Sequence, residues 1–330
     1  VRSGVKSEIY DLPTQHFYQN QVVAPFIKEN VLPFKNFPLF SLPFIPFTFL
    51  PLRVSYTIFA FFNLSLLVLF VFVSAKTFNN IRKFRLWFIA PFVFLPNILA
   101  MIVGQLSIML VFFYLLIYKF IKDKKVFLAG VISGFLLVKP QYVVAVPFFF
   151  LLVKNRLDYL KGFLIVVLVL IISTLIISGP DSLLKYPSFL LLTENESFAG
   201  HTQRMFTLSS TLYYNLPMKL ISYKGTLYLN ALLYFIVYCI FIKKYRRVNI
   251  DHAFVSAVIF SLLFAVHVLE HDLAILLIPV FLLINAKRLA LASLLFILPL
   301  IVLLISPALG SMLAFSMAFS LLLKKPERKI

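Results

Sequence analysis

Long apolar runs, Leu64–Val73 and Phe163–Ile177 among them, constrain this chain more than any other feature. They do not alternate apolar with polar residues, as the strands of a membrane barrel must. A backbone in hydrocarbon has to satisfy its own hydrogen bonds, so these runs form α-helices. Composition agrees. Apolar residues make up 62% of the chain, against about 45–50% in a soluble domain, and mean hydropathy is +0.98. Charged residues are 13%, about half the usual share. No soluble fold hides such an excess. The solvent is lipid, and the expected fold class is an all-α polytopic membrane protein.

The runs fall at 54–75, 86–103, 105–121, 126–138, 141–153, 160–178, 227–243, 252–268, 273–285, 289–305 and 307–323, giving about 11 membrane helices or half-helices. Several are shorter than the ~20 residues that cross a ~30 Å core. The pairs 126–138/141–153 and 252–268/273–285 are therefore expected to be half-spanning or tilted. Their polar junctions are expected in a cavity, where irregular backbone is tolerated at depth. Residues 1–53 are not a spanning helix, because Pro13, Pro25, Pro33, Pro38, Pro43, Pro46 and Pro51 interrupt helical hydrogen bonding. Their aromatics suit a loop at the membrane interface. No inverted internal repeat and no Gly-rich linker divides the chain. It reads as one domain over 1–330: a loop at 1–53, a first helical group at 54–178, a second loop at 179–226, a second helical group at 227–323 and a tail at 324–330. Phe198–His201 and Leu208–Leu212 are expected to form amphipathic or re-entrant pieces of the second loop.

Charge orients these segments. With the first loop outside and the runs alternating, the inside connections collect 21 of the 31 basic residues, including Arg82, Lys83, Lys122, Lys124, Arg246, Arg247, Lys287 and Arg288. They hold only Asp123, Asp158, Asp251 and Glu327 of the 12 acids. That is the positive-inside pattern, and a single wrong crossing would scramble it. It also accounts for the net charge of +19 without a nucleic-acid partner. The chain is expected to be multi-pass in the inner (plasma) membrane, with the loops 1–53 and 179–226 extracytoplasmic and the tail cytoplasmic. The single Cys239 builds neither a disulfide framework nor a metal cluster. The start, Val1-Arg2-Ser3-Gly4, has no signal-peptide core, and reads as that of a fragment or trimmed chain.

Polar residues that lipid should exclude fall at the outside junctions. Gly104-Gln105 is either a helix cap or a hydrogen-bonding group lining a substrate cavity. Lys139-Pro140-Gln141 places an ammonium between two half-helices, where it either snorkels to the interface or meets an anion such as phosphate. His267-Val268-Leu269-Glu270-His271-Asp272 gathers two imidazoles and two carboxylates in one turn. The His267/His271 pair at i, i+4 is compatible with a structural turn, with acid–base or phosphate-binding work, or with a metal, though no third ligand set is evident. Asp11 is either a base or the cap of the helix or turn that follows.

In order, these residues match a known pattern. A loop with Tyr10-Asp11 leads to a Pro-rich aromatic segment and a helix carrying Phe61-Phe62-Asn63. Then come Gly104-Gln105, the Gly130…Gly134 helix with Lys139-Pro140, and a late turn with His271 ahead of Pro279. Across essentially its whole length the chain resembles glycosyltransferase family 87. That family includes polyprenyl-phosphate-mannose-dependent mannosyltransferases of the GT-C fold. Two departures stand out. The family's catalytic Asp follows a first membrane helix, and both would lie upstream of Val1. Its late turn usually reads Ser-Pro-x-Ser-Trp-x-His, of which Ala265–His271 keeps only the His.

The resemblance implies a cell-envelope hexosyltransferase. It would move a hexose, mannose in the best-known case, from a polyprenyl-phosphate donor to a lipid or glycan acceptor at the extracytoplasmic face, with inversion. No permanently bound cofactor and no metal is expected; membrane lipids, donor and acceptor are the partners. In that reading Lys139 and His271 neutralise the phosphate leaving group, and Gln105 binds sugar hydroxyls, with Gln141 and Asp272 beside them at the donor. The base is the missing upstream Asp, with Asp11 or Asp272 as substitutes. The competing readings are a transporter or lipid flippase, which moves its lipid unchanged, and a structural membrane subunit.

Overall fold

A computed structural model describes residues 8–27, 29–84, 86–193, 205–215 and 222–323. They are mainly helical, and no strand occurs among them. In chain order the helices are α1 (Leu12–Val23), α2 (Leu52–Thr77), α3 (Ala90–Val93), α4 (Leu95–Ile102), α5 (Ser107–Lys122), α6 (Val126–Gly134), α7 (Val146–Leu152) and α8 (Arg156–Ser178). They continue with α9 (Pro180–Thr193), α10 (Leu208–Asn215), α11 (Tyr223–Lys244), α12 (Ile250–Phe264), α13 (Leu277–Asn285), α14 (Leu289–Leu304) and α15 (Pro307–Leu323). Short 3-10 segments at Pro38–Phe49, Phe135–Val138, Pro140–Ala145 and Glu270–Leu276 join or extend them.

Three of the apolar runs become helices long and apolar enough to cross a membrane. These are α2, α8 and the stretch Tyr223–Arg247 that contains α11. Only 28%, 22% and 22% of their most apolar windows are buried within the protein. Phe61, Phe72, Leu168, Ile176 and Phe235 point outward, which is the pattern of lipid-facing helices, where apolar surface needs no protein partner. The other runs are carried by shorter helices. α12 is their opposite: every residue from Ala253 to Phe264 is buried. It forms the centre, with α13, α5 and α7 against it, and Phe254 stacks on Phe149 with ring centroids 4.8 Å apart.

Proline sets several breaks. The 86–103 run, expected as one helix, is divided into turns and the separate helices α3 and α4, because Pro91 and Pro96 each occupy a first-turn position and cannot donate to a preceding turn. Pro43 and Pro46 lie inside the 3-10 segment Pro38–Phe49. Their missing N–H groups remove rungs from an α-helical ladder, so the segment that was expected not to span is not an α-helix. In the second loop, Leu208–Leu212 lies in α10, whereas Phe198–His201 lies outside the described residues. α9 docks on the first loop: the Tyr186 hydroxyl donates to the Lys35 carbonyl at 2.9 Å, and Tyr10 packs on Tyr186 and Phe189.

The tightest helix pair is α6 with α8. At Gly130 a Cβ would collide with the backbone carbonyl of Tyr159, and at Gly162 with that of Phe127. Small residues let the two backbones touch, as membrane helix pairs require. The Tyr159 hydroxyl then donates to Ser133 Oγ at 2.7 Å across the contact. This pairing positions the end of α6, and with it Lys139.

Candidate functional site

Three hairpin tips meet. The first joins α4 to α5. Gly104 has a left-handed φ of +64°. The Gly104 N–H donates to Met101 O at 3.3 Å and the Gln105 N–H to Ala100 O at 2.8 Å. This pair of bonds is the Schellman ending of a helix, for which glycine suits the left-handed position. The cap reading of Gly104-Gln105 therefore accounts for its backbone, and the Gln105 side chain stays half-buried. The Tyr56 hydroxyl from α2 donates to the Met101 carbonyl at 2.7 Å and holds the tip in place. Two residues on, Ser107 begins α5 and is fully buried.

The second tip is Lys139, extended at φ −130° and ψ 94° between two 3-10 segments. Pro140 explains the break, since it disfavours helical backbone in the residue before it. The third tip follows α12. Residues 265–269 are not helical, and Glu270–Leu276 forms a 3-10 segment. The helical His267/His271 pairing considered from spacing does not form. His271 and Asp272 enter on the 3-10 turn, whose carboxylate Oδ2 accepts from the Leu269 N–H at 3.3 Å.

The Asp272 carboxylate is the hub. Its Oδ1 accepts from Lys139 Nζ at 2.6 Å and from the Ser107 hydroxyl at 2.8 Å. Lys139 Nζ also donates to Ser107 Oγ at 3.2 Å, and His271 Nε2 lies 3.6 Å from Asp272 Oδ1. The Lys139 side chain is 12% exposed, that of Asp272 1% and that of His271 13%. Removing two charges from water costs several kcal/mol per ion. Their mutual attraction and the extra hydrogen bonds offset it, so the cluster stands only when all its members are present. Tyr142, fully buried, sits beside the same carboxylate.

The polar junctions expected to line a cavity are thus packed on one another. Lys139, expected to face an anion or to snorkel, has a protein carboxylate as its counter-ion. Asp272, considered as a base, is held by an ammonium and two further hydrogen-bond donors. Gln141 is half-buried on the turn after Lys139. Asp11 is elsewhere. It is exposed and caps α1, with Oδ2 accepting from the Thr14 N–H at 2.9 Å and the Thr14 hydroxyl at 2.7 Å. The Thr14 hydroxyl, then the Thr14 N–H, hold its carboxyl below the usual range. Ser107 was missed from sequence. Its only signal was a hydroxyl just beyond a Gly-Gln helix end.

Chemically, the cluster stores an ammonium, an imidazole and a hydroxyl around one carboxylate. An ammonium has three N–H donors and a serine hydroxyl one donor and two acceptor sites, so the assembly can meet a phosphate-bearing ligand by adding bonds or by exchanging the Asp272 partner. Among the described residues no group of three His, Cys, Asp or Glu side chains is placed to share a metal ion. Fold and cluster together define a helical membrane protein with a buried ionic site at the meeting of three hairpins. The chain belongs to glycosyltransferase family 87, whose sequence model matches residues 34–307 and so takes in all three tips. It is a glycosyltransferase. No curated protein and no solved structure matches it.

Proposed function

We propose that this enzyme transfers a hexose, mannose in the first instance, from a polyprenyl-phosphate donor to a lipid or glycan acceptor at the extracytoplasmic face of the plasma membrane, with inversion. The observation that carries this is the Lys139–Asp272–Ser107 knot with His271 beside it: a cation held inside an apolar bundle of a family 87 chain, near the ends of lipid-facing helices. A lipid-linked phosphate is an anion delivered through the bilayer, and a fixed ammonium in a low-dielectric site is its natural partner. In the step, the acceptor hydroxyl oxygen attacks the sugar C1. The C1–O bond breaks, and its electron pair leaves on the polyprenyl phosphate. The hydroxyl proton passes to a carboxylate outside the knot, because an ion-paired, buried Asp272 is a poor proton acceptor. Lys139 and His271 face the departing phosphate, Ser107 holds the ammonium in place, and Gln105 and Gln141 serve the sugar hydroxyls. The positive-inside distribution supports the extracytoplasmic side. α5 runs from Ser107 at the knot to Lys122 at the basic end, and its 16 residues make it about 24 Å long at 1.5 Å per residue.

The test is time-dependent consumption of a radiolabelled polyprenyl-phosphate hexose by the purified full-length protein in lipid nanodiscs. Wild type is expected to release polyprenyl phosphate, and His271→Ala to slow release at least tenfold. Release at the wild-type rate from a folded variant carrying both Lys139→Met and Asp272→Leu would remove the knot from the reaction.

A further inference from the structure

At the basic end of the bundle two guanidinium groups converge on one phenol. Arg156 opens α8, and the 3-10 turn Tyr245–Arg247 ends α11. Arg156 Nη2 donates to the Tyr245 hydroxyl oxygen at 2.7 Å, and Arg246 Nε donates to the same oxygen at 3.0 Å. Those two nitrogens are thus no farther apart than the two bonds laid end to end. The Arg156 guanidinium also lies over the Phe150 ring of α7, 5.6 Å from its centroid, and that of Arg246 over the Tyr245 ring at 5.7 Å. The cluster is remote from the ionic knot: the 15 residues of α12 separate this turn from the one that carries His271.

Two cations brought to one neutral oxygen repel each other, and more strongly at a lipid boundary than in open water. Among the described residues neither guanidinium forms an ion pair. The carboxylate nearest in sequence, Asp158, accepts from Asn155 and faces Lys161 Nζ at 3.9 Å instead. Lys154, Lys243, Lys244 and Arg247 lie within two residues of the cluster along the chain and add to its positive field. Most of the donors are unspent. A guanidinium has five N–H donors, and each spends one on Tyr245, whose oxygen accepts both and keeps its own proton to donate. Stacking on the rings uses the guanidinium faces and leaves the N–H edges for hydrogen bonds. An anion with several oxygens, set between the two forks, cancels the repulsion and takes charge-assisted bonds from both. Phosphate oxygens match such forks in pairs.

Position names the source of the phosphate. α8 and the stretch Tyr223–Arg247 are two of the three helices long and apolar enough to cross a membrane. The cluster sits at the first residue of one and the last turn of the other, where both leave the hydrocarbon. That is the level of the phospholipid headgroups. Leu157, next to Arg156, and Ile242, one turn before Tyr245, are exposed and apolar, which suits an acyl chain lying below its headgroup. Basic sites of this kind between membrane helices hold anionic lipid headgroups. A soluble phosphate would meet the same cations but gain nothing from the apolar flank.

We infer that Arg156, Tyr245 and Arg246 form a binding site for the headgroup phosphate of an anionic phospholipid, at the basic end of the bundle and separate from the knot. Native mass spectrometry of the full-length protein tests it, with phosphatidylglycerol, phosphatidylcholine and inorganic phosphate as probes. Wild type is expected to retain phosphatidylglycerol at least fivefold more than phosphatidylcholine. Arg156→Gln with Arg246→Gln should remove most of that excess. Arg82→Gln with Lys83→Gln removes the same charge from two exposed residues elsewhere on the basic side, and should stay within twofold of wild type. Arg246 is exposed, so Arg246→Gln alone leaves the packing intact and should by itself lower retention severalfold. Equal retention in wild type, Arg246→Gln and the double arginine variant overturns the inference. An equal fall in the charge-matched control does the same, since it would mean that bulk positive charge and not this cluster holds the lipid. Displacement of the lipid by excess inorganic phosphate, or equal retention of phosphatidylcholine, overturns the assignment to an anionic phospholipid.

Discussion

Lys139 and Asp272, 133 residues apart in sequence, meet at 2.6 Å with the Ser107 hydroxyl bonded to both. The contact ties the α6–α7 tip to the α12–α13 tip and sets both on the start of α5. Breaking one side leaves a buried, uncompensated charge, which costs about 3–5 kcal/mol. Lys139→Ala and Asp272→Ala should each lower the thermal midpoint of the detergent-solubilised protein sharply. The double substitution Lys139→Met with Asp272→Leu should recover most of that loss while donor turnover stays abolished. Additive losses in the double variant would show that the two residues do not act as a pair.

Asn63 is fully buried on α2, and neither its amide nitrogen nor its amide oxygen has a partner among the described residues. Each unsatisfied buried polar group costs about 1–3 kcal/mol. Asn63→Leu is expected to raise the thermal midpoint, as an apolar group of similar shape removes that cost. A clear drop would mean that the amide is bonded to a group beyond the described residues.

The α6–α8 contact should tolerate no side chain. Gly130→Ala drives a methyl into the Tyr159 backbone, and overpacking of this kind costs about 1–3 kcal/mol or more. Gly179→Ala is the contrast. Nothing lies within 4 Å of its would-be Cβ, and only its φ of +82° opposes the change, at about 1–2 kcal/mol. Unfolding midpoints of the two variants should rank Gly130→Ala as the worse. The same order should appear in donor turnover, because α6 positions Lys139.

The proposed orientation is open to chemical labelling. Cys239 is the one cysteine. In a Cys239→Ser background, Asp181→Cys is expected to react with a membrane-impermeant maleimide on intact cells, and Asp123→Cys only after lysis. The reverse pattern would place the ionic knot toward the cytoplasm.

Asp11 should matter to α1 and not to chemistry. Asp11→Asn keeps a capping oxygen, and donor turnover is expected to stay within twofold of wild type. Because the Thr14 bonds lower the folded-state pKa, the charged cap's contribution is present above the unfolded carboxylate value of about 3.9. It is lost as pH falls through the lower folded value. Pepsin nicking of Asp11→Ala relative to wild type within residues 12–23 should therefore exceed one near pH 4 and approach one at lower pH. A tenfold fall in turnover for Asp11→Asn would restore it as a base.

Much of the architecture was legible because its causes are local or compositional. Apolar run length gave helices in lipid, and proline spacing placed the break at Lys139 and kept the first loop from spanning. The family was readable from a string of individually weak motifs in the right order. The division of 86–103 was less so, since Pro91 and Pro96 can each start a helix as readily as kink one.

The candidate site divides the same way. That Lys139, His271 and Asp272 are out of place in hydrocarbon follows from sequence alone, because a charge in lipid needs a reason wherever it falls. Which of them neutralises which did not follow. Ion pairing depends on the packing of α4 and α5 around the 3-10 turn at Glu270–Leu276 and on Lys139 reaching it, contacts that span more than a hundred residues. Only the tertiary structure brought in Ser107 and made Asp272, one of the candidate bases, the ion-pair partner of Lys139. Hydrophobic periodicity and breaker residues act within a few positions of themselves, whereas a buried charge is satisfied by whatever the fold brings within 3 Å of it.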